Sequence, residues 1–513
     1  MQFGLIDYIV LVLYLVGVAF FGFKASGKQK SAKDYFLAGD GVPWWAALFS
    51  VVATETSTLT FISIPAVAYG GNLTFLQITL GYLIGRIIVA FYFLPKYYEG
   101  ELYTAYQFLE RRFGAKMRNA TSATFMFTRL LADGVRLFAT AIPLAIILRF
   151  GGAFTQMGDL ELYVLSILII SVITLFYTFF GGIKAVVWMD VVQMIVYLGG
   201  AGLALFLLLN QLPDGWKTVT DMARPDHKLQ IFRSGFDLSF KEFIAQPYTF
   251  FTALVGGAVF SLASHGTDQL LVQRLLATGD LKSGQKALVW SGVVVMLQFA
   301  LFLVIGLLLF AFYNGVNPDV LGLATNDEIF AKFIVEHLPP GISGLIVAAL
   351  FAAAMSSLSS SLNSLASATT FDFYKPYFSK ENNAEKDLMI SRRITLVWGV
   401  ILTVSALIFA YLQLQEGERP TVVELGLGIA SYTYGGLLGA FLLGMFFTKP
   451  TTKDALIGFF AGLISLLFLV NGPVQQILPG EGLIIAWPLY TLVGSLIVIG
   501  VALVSEKIRS GLS

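Results

Sequence analysis

Stretches of roughly 20 apolar residues, the length that carries one helix across the hydrocarbon core of a bilayer, recur along the whole 513-residue chain. About thirteen can be marked, near residues 4–22, 43–66, 75–95, 119–149, 160–180, 185–210, 246–266, 286–313, 340–371, 391–414, 421–447, 453–471 and 484–504, here TM0 to TM12. A backbone in lipid must satisfy its own hydrogen bonds, so the pattern predicts an all-α polytopic membrane protein. With 57% hydrophobic and only 13% charged residues, the chain is far from a soluble domain's mixture. Asp7 precedes the first apolar run, which has neither a basic leader nor an A-x-A site. It is expected to remain as a span rather than leave as a signal peptide.

Basic residues collect in alternate connections. Lys24, Lys28, Lys30 and Lys33 follow TM0; Lys96, Arg111, Arg112, Lys116 and Arg118 follow TM2; Arg274, Lys282 and Lys286 follow TM6; Lys375, Lys380, Lys386, Arg392 and Arg393 follow TM8. The connections 67–74 and 472–483 carry none, and those after TM7 and TM9 only Lys332 and Arg419. Short cytoplasmic loops hold the basic excess, so the N-terminus is expected outside and the C-terminus in the cytoplasm, with the chain integral to the plasma (inner) membrane. A net charge of +1 gives no reason to expect nucleic acid. No cysteine, three histidines and the lack of HExxH or Walker A sequences leave no transition-metal site or direct use of ATP in view. The expected partners are the lipid bilayer, ions and a small solute; no oligomer is required.

Two spans are interrupted by polar residues. TM1 reads Ala53-Thr54-Glu55-Thr56-Ser57-Thr58-Leu59-Thr60, and TM6 carries Gly256-Gly257 and then Ser264-His265-Gly266-Thr267-Asp268-Gln269. A helix broken in mid-membrane exposes backbone groups that must face protein, a cavity or an ion. In TM8 the run Ala352 to Ser361 places Ala353, Ser356, Ser357 and Ser360 on one helical face, with Ser359 at its edge. Two readings stay open on spacing alone: an oxygen cage for a small cation, or small residues that let helices pack closely.

Five segments then carry a resemblance: Asp34-Tyr35-Phe36-Leu37-Ala38-Gly39, Thr104 to Phe113 (TAYQFLERRF), Gly181-Gly182-Ile183 through Trp188-Met189-Asp190, Asp268 to Arg274 (DQLLVQR), and the TM8 serine run. In this order they resemble the sodium/solute symporter family, whose members take up sugars, sialic acid, proline or iodide with sodium. The resemblance implies a LeuT-like fold. TM1–TM5 (43–210) and TM6–TM10 (246–447) would form inverted repeats, preceded by TM0 and the first cytoplasmic loop (1–42) and joined by an outside connection (211–245). TM11, TM12 and a cytoplasmic C-terminus (448–513) would be peripheral. It also implies Na+ as the coupled ion. A first sodium site would use Ala53, Thr56, Ala353, Ser356 and Ser357, the face found from spacing, and a second Asp190, Ser356, Ser359 and Ser360. For Asp190 the competing expectation is a pairing with Lys184. Hydroxyls and carbonyls do not titrate near neutral pH, which favours sodium over protons at the first site; Glu55 and Asp190 keep proton coupling open.

Candidates to face the solute are Glu55, Ser57, Thr58 and Thr60 of TM1, Phe75, Gln77 and Thr79 of TM2, Asp133 and Arg136 of TM3, Ser264 and His265 of TM6, and Gln298 of TM7. Arg129, Asp133 and Arg136 are spaced so that Asp133 can pair with either arginine, which leaves one cation spare. The main expectation is import of a sugar or sugar-like solute through the acids and amides Glu55, Asp133 and Gln298. The alternative is a carboxylate held by Arg136, as a TM3 arginine does in the sialic acid branch. Gly426-Leu427-Gly428 in TM10 departs from the glutamine-bearing sugar pattern. A channel can use the same hydroxyls, but paired helix breaks are a transporter signal; an intramembrane hydrolase would need a base or metal beside its nucleophile.

Overall fold

The computed structural model describes residues 4–25, 28–39, 41–100, 102–150, 156–323, 325–379, 383–413, 422–471 and 485–511. Lys380, Arg419 and the 472–483 connection, used above for orientation, lie outside the described residues, as do the side chains of Gly426-Leu427-Gly428. Among the described residues every regular element is helical. In chain order they are α1 (Leu5–Ala25), α2 (Ala32–Leu37), α3 (Trp44–Glu55), α4 (Thr58–Gly70), α5 (Leu76–Ile88), α6 (Leu94–Tyr98), α7 (Tyr106–Phe113), α8 (Ala115–Phe150), α9 (Asp159–Gln211) and α10 (Trp216–Ala223). There follow α11 (Phe240–Ala245), α12 (Phe250–Gly266), α13 (Gln269–Leu276), α14 (Leu281–Phe312), α15 (Glu328–His337), α16 (Ile342–Ala368), α17 (Lys375–Phe378), α18 (Ala384–Gln413), α19 (Val422–Phe446), α20 (Thr452–Asn471) and α21 (Tyr490–Gly511). Seven of the described helical runs are long and apolar enough to cross a membrane, or up to nine if each of two bent pairs is one span.

Those bent pairs fall where polar residues interrupt the apolar runs. Between α3 and α4 the chain turns by 61° as Thr56 and Ser57 become extended. Between α12 and α13 it turns by 62° at Thr267 and Asp268. The expected TM4 and TM5 form one run, α9, kinked at Gly182 (φ 56°, ψ −159°). Only glycine suits that point, because a Cβ would collide with the Tyr35 carbonyl. The Tyr35 hydroxyl in turn donates to the Thr178 carbonyl at 2.9 Å. Two of the recognised sequence segments are therefore halves of one contact. Another pair interlocks likewise: Gln269 accepts from Ala105 N (2.9 Å) and donates to Tyr103 O (3.1 Å).

At the centre lies α16, buried along almost its whole length and packed against α9, α1, α8, α3 and α4. Its start is held by the first helix. Asp7 Oδ1 accepts from Gly341 N (2.7 Å) and Gly344 N (2.8 Å), while Oδ2 accepts from Gly4 N (2.8 Å). One carboxylate thus caps two helix N-termini, where a negative charge is favoured. The 211–245 connection also grips the bundle. Lys228 Nζ donates to Tyr69 O (2.7 Å) and Gly71 O (3.1 Å) at the end of α4.

Candidate functional site

The first break rests directly on the serine helix. Thr54 Oγ lies 3.0 Å from Ser360 Oγ, and Thr58 Oγ donates to the Leu350 carbonyl at 3.1 Å. These two bonds set the chains antiparallel and bracket Thr56 on one side, with Ala53 just before Thr54, and Ala353, Ser356 and Ser357 on the other. The proposed ligands of the first sodium site thus belong to two elements in contact, an opened helix and α16. Ser57 makes no side-chain cap at the start of α4. Thr56 Oγ donates to Val52 O (2.8 Å) and accepts from Gln298 Nε2 (2.8 Å). Ser357 Oγ, on a residue 7% exposed, has no hydrogen-bond partner among the described residues. A buried hydroxyl without a partner suits a hard monovalent cation, which hydroxyl and carbonyl oxygens can strip of water.

The second set is also assembled, around an element that spacing does not reveal. Asp190 accepts from Ser50 Oγ (2.5 Å) and Ser356 Oγ (2.6 Å), and its cationic neighbour is Arg274, 3.6 Å away. Among the described residues no ion pair joins Asp190 to Lys184; Arg274 from α13 takes that place. Arg274 Nε donates to Ser50 Oγ (2.9 Å), NH1 to Leu270 O (2.6 Å) and NH2 to Ser360 Oγ. Ser359 donates to the Ser356 carbonyl at 3.0 Å. Four elements meet here on a permanent cation, and the hydroxyls of Ser356 and Ser360 are already engaged.

Beside the first break opens a cavity of about 240 Å³. Seven of the twelve solute candidates line it: Glu55, Ser57, Thr60, Phe75, Arg136, Ser264 and His265. Aromatic walls that the sequence reading missed come from Tyr82, Tyr248, Phe260, Phe299, Tyr434 and Trp487. Five candidates lie outside the lining. Thr58 is bonded to Leu350 and Gln298 to Thr56, as above. Gln77 joins Tyr248 O (2.8 Å) and Arg233 N (3.2 Å), Thr79 bonds to Leu76 O (2.7 Å), and Asp133 accepts from Ser361 (2.6 Å). Glu55 is not free in the wall: Arg86 of α5 approaches it at 2.5 Å and His265 Nε2 at 2.7 Å. Arg86 is fully buried, with NH1 on Ser291 Oγ at 2.9 Å.

The two arginines of α8 differ sharply. Arg129 is held through its two terminal nitrogens by Asp268 (3.0 Å), Tyr434 Oη (2.8 Å) and Asp133 (3.5 Å). Tyr434 also donates to Asp268 at 2.8 Å, which closes a triangle between α8, α19 and the second break. Among the described residues the one ion-pair partner of Arg136 is Asp133, at 3.8 Å; its side chain is 27% exposed and lines the cavity. The spare cation inferred from spacing is therefore Arg136.

Comparisons with known proteins agree with this architecture. The chain is 32% identical over 470 residues to the sodium/sialic acid symporter NanT of Aliivibrio fischeri, covering 91% of this chain and 88% of that protein. It is 30% identical over 525 residues to the sodium/glucose cotransporter of Vibrio parahaemolyticus, covering 98% and 91%. A Na+-coupled sialic acid symporter, solved in a substrate-bound outward-open state with a novel Na+ site, superposes with a TM-score of 0.83 at 28% identity, covering 99% of this chain and 98% of that one. Residues 35–462 match the model of the sodium:solute symporter family. The chain is thus a membrane transporter rather than an enzyme, carrying a small solute together with sodium, and it belongs to the sodium:solute symporter family.

Proposed function

We propose that this symporter imports a small organic carboxylate of the sialic acid or monocarboxylate type, with Arg136 as its anion ligand. The observation that carries the reading is the pairing pattern on α8. Asp268 and Tyr434 hold Arg129 at 3.0 and 2.8 Å, while Arg136 lines the cavity with one distant partner. A guanidinium with unfilled donors in an apolar-walled cavity is a strong carboxylate receptor. The sialic acid symporters among the relatives support the same class. A neutral sugar has weaker support, because Asp133 and Gln298 lie outside the cavity lining and Glu55 is engaged by Arg86 and His265.

In this reading ten of about thirteen spans form a LeuT-like 5+5 core, 43–210 and 246–447, in the inner membrane, with the N-terminus outside and the C-terminus in the cytoplasm. Sodium at Ala53, Thr56, Ala353, Ser356 and Ser357 ties the first break to α16 and favours the outward-open state. Asp190, Ser356, Ser359 and Ser360 take a second ion only if Arg274 withdraws. Solute and ion are linked through the conformation both prefer. The test is uptake into proteoliposomes under an inward sodium gradient, offering labelled sialic acid, lactate and glucose to wild type and Arg136→Ala. Sodium-dependent carboxylate uptake that falls at least about tenfold in Arg136→Ala, a loss of roughly 1.4 kcal/mol, is the expected result. Glucose uptake indifferent to that substitution would overturn the reading.

A further inference from the structure

Asp133 is 4% exposed and lies outside the cavity lining, yet it touches the solute arginine and the serine helix at once. Its Oδ1 stands 3.5 Å from Arg129 and 3.8 Å from Arg136. Its Oδ2 accepts from Ser361 Oγ at 2.6 Å. Ser361 is one helical turn beyond Ser357, and the same hydroxyl lies 3.1 Å from the Ser357 carbonyl. A hydroxyl has one proton to give, so these two acceptors compete for it.

A second observation joins the same residues. Between α8 and α16 lies a void of about 10 Å³, lined by Asp133, Arg136, Leu137, Thr140, Ala354, Ser357 and Leu358. That is the lower end of the roughly 10–15 Å³ one water needs, and the lining is polar enough to hold it. The partnerless, buried Ser357 hydroxyl borders this void. Ser357 and Arg136 therefore border one water-sized gap, which Asp133 and Thr140 also line.

We propose that Asp133 is the positioning residue that couples sodium to solute, restraining Arg136 until sodium binds at Ser357. A hydroxyl coordinated to Na+ turns its oxygen lone pair to the ion, so its proton points away. The void that Ser357 shares with Asp133 can seat one water to receive that proton and pass a hydrogen bond to the carboxylate. Donation into this chain neutralises part of the carboxylate's charge and weakens its hold on Arg136, whose guanidinium then pairs with the solute. Ser361 supports the relaxed state by donating to Oδ2 from the same helix. The coupling is reciprocal: solute bound to Arg136 frees Asp133 to accept that chain, which tightens sodium binding. The inference rests on Arg136 being the carboxylate ligand.

The test is calorimetric binding of sialic acid to the purified full chain in nanodiscs, in sodium and in an equal concentration of potassium. In wild type sodium tightens binding by roughly 5- to 150-fold, the usual span of such couplings. In Asp133→Asn, binding in potassium rises toward the wild-type sodium value, an effect that loss of structure does not produce. Ser361→Ala has the opposite signature: affinity in sodium falls toward the potassium value, while sodium binding without solute matches wild type. If Asp133→Asn fails to fold, Ser361→Ala decides alone. A wild-type sodium-to-potassium ratio retained in the folded variants overturns the inference and leaves the carboxylate reading standing. Wild type that binds no sialic acid in either salt overturns both.

Discussion

The two helix breaks bend by nearly the same angle, 61° and 62°, but are finished in opposite ways. At the second, Asp268 accepts from Leu270 N (2.9 Å), pairs with Arg129 (3.0 Å) and accepts from Tyr434 (2.8 Å), so the exposed helix start is closed by protein. At the first, Ser57 caps nothing with its side chain, and Ser357 on α16 has no hydrogen-bond partner among the described residues. A break closed from within serves as a latch between helices. One left open has oxygen atoms to offer a cation. The same local device, a polar interruption of an apolar span, yields two functions according to whether a neighbouring helix brings an opposite charge.

This contrast can be broken from either side. Asp268→Ala removes the cap and leaves Arg129 with a weak partner in a buried position; such a loss costs about 3–5 kcal/mol, to be read as a large drop in thermal unfolding temperature in detergent. If that temperature is unchanged, the second break is not a latch. Ser357→Ala acts on the open break. It is expected to weaken the apparent sodium affinity of uptake about tenfold or more, about 1.4 kcal/mol, with stability near wild type because no hydrogen bond is lost; a stability loss without a sodium effect would return the serine face to mere packing. The smallest effect should come from Tyr434→Phe, which deletes one hydroxyl from the latch and leaves the ion pair. About 1 kcal/mol is expected with sodium affinity unaltered, and altered sodium affinity would mean that the two breaks are not separate devices.

Much of this arrangement is legible in the sequence. Both breaks lie where polar residues interrupt apolar runs, and the serine face of α16 follows from helical spacing because both are local patterns. The partners of the buried charges are not local. Arg86 meets Glu55 from 31 positions away, and Arg274 meets Ser50 from 224 positions away, distances over which no periodicity survives. Spacing on α8 identifies Asp133 as a shared partner, but the choice of spare arginine depends on Asp268, which arrives on another helix. Four of the five solute candidates outside the lining are engaged by other parts of the chain, Gln77 by Arg233 and Tyr248, and Asp133, Thr58 and Gln298 across helix contacts. Helix rotation decides such matters, and composition does not record it.

Asp7 has one further consequence. Its two acceptor oxygens serve the first helix and a helix that begins more than 330 residues later. During synthesis the first span enters the membrane with one oxygen of that acid unclaimed, and the wait ends only when the start of α16 emerges. The N-terminal helix, peripheral by position in the chain, thus finds its final seat only once the start of α16 has been made.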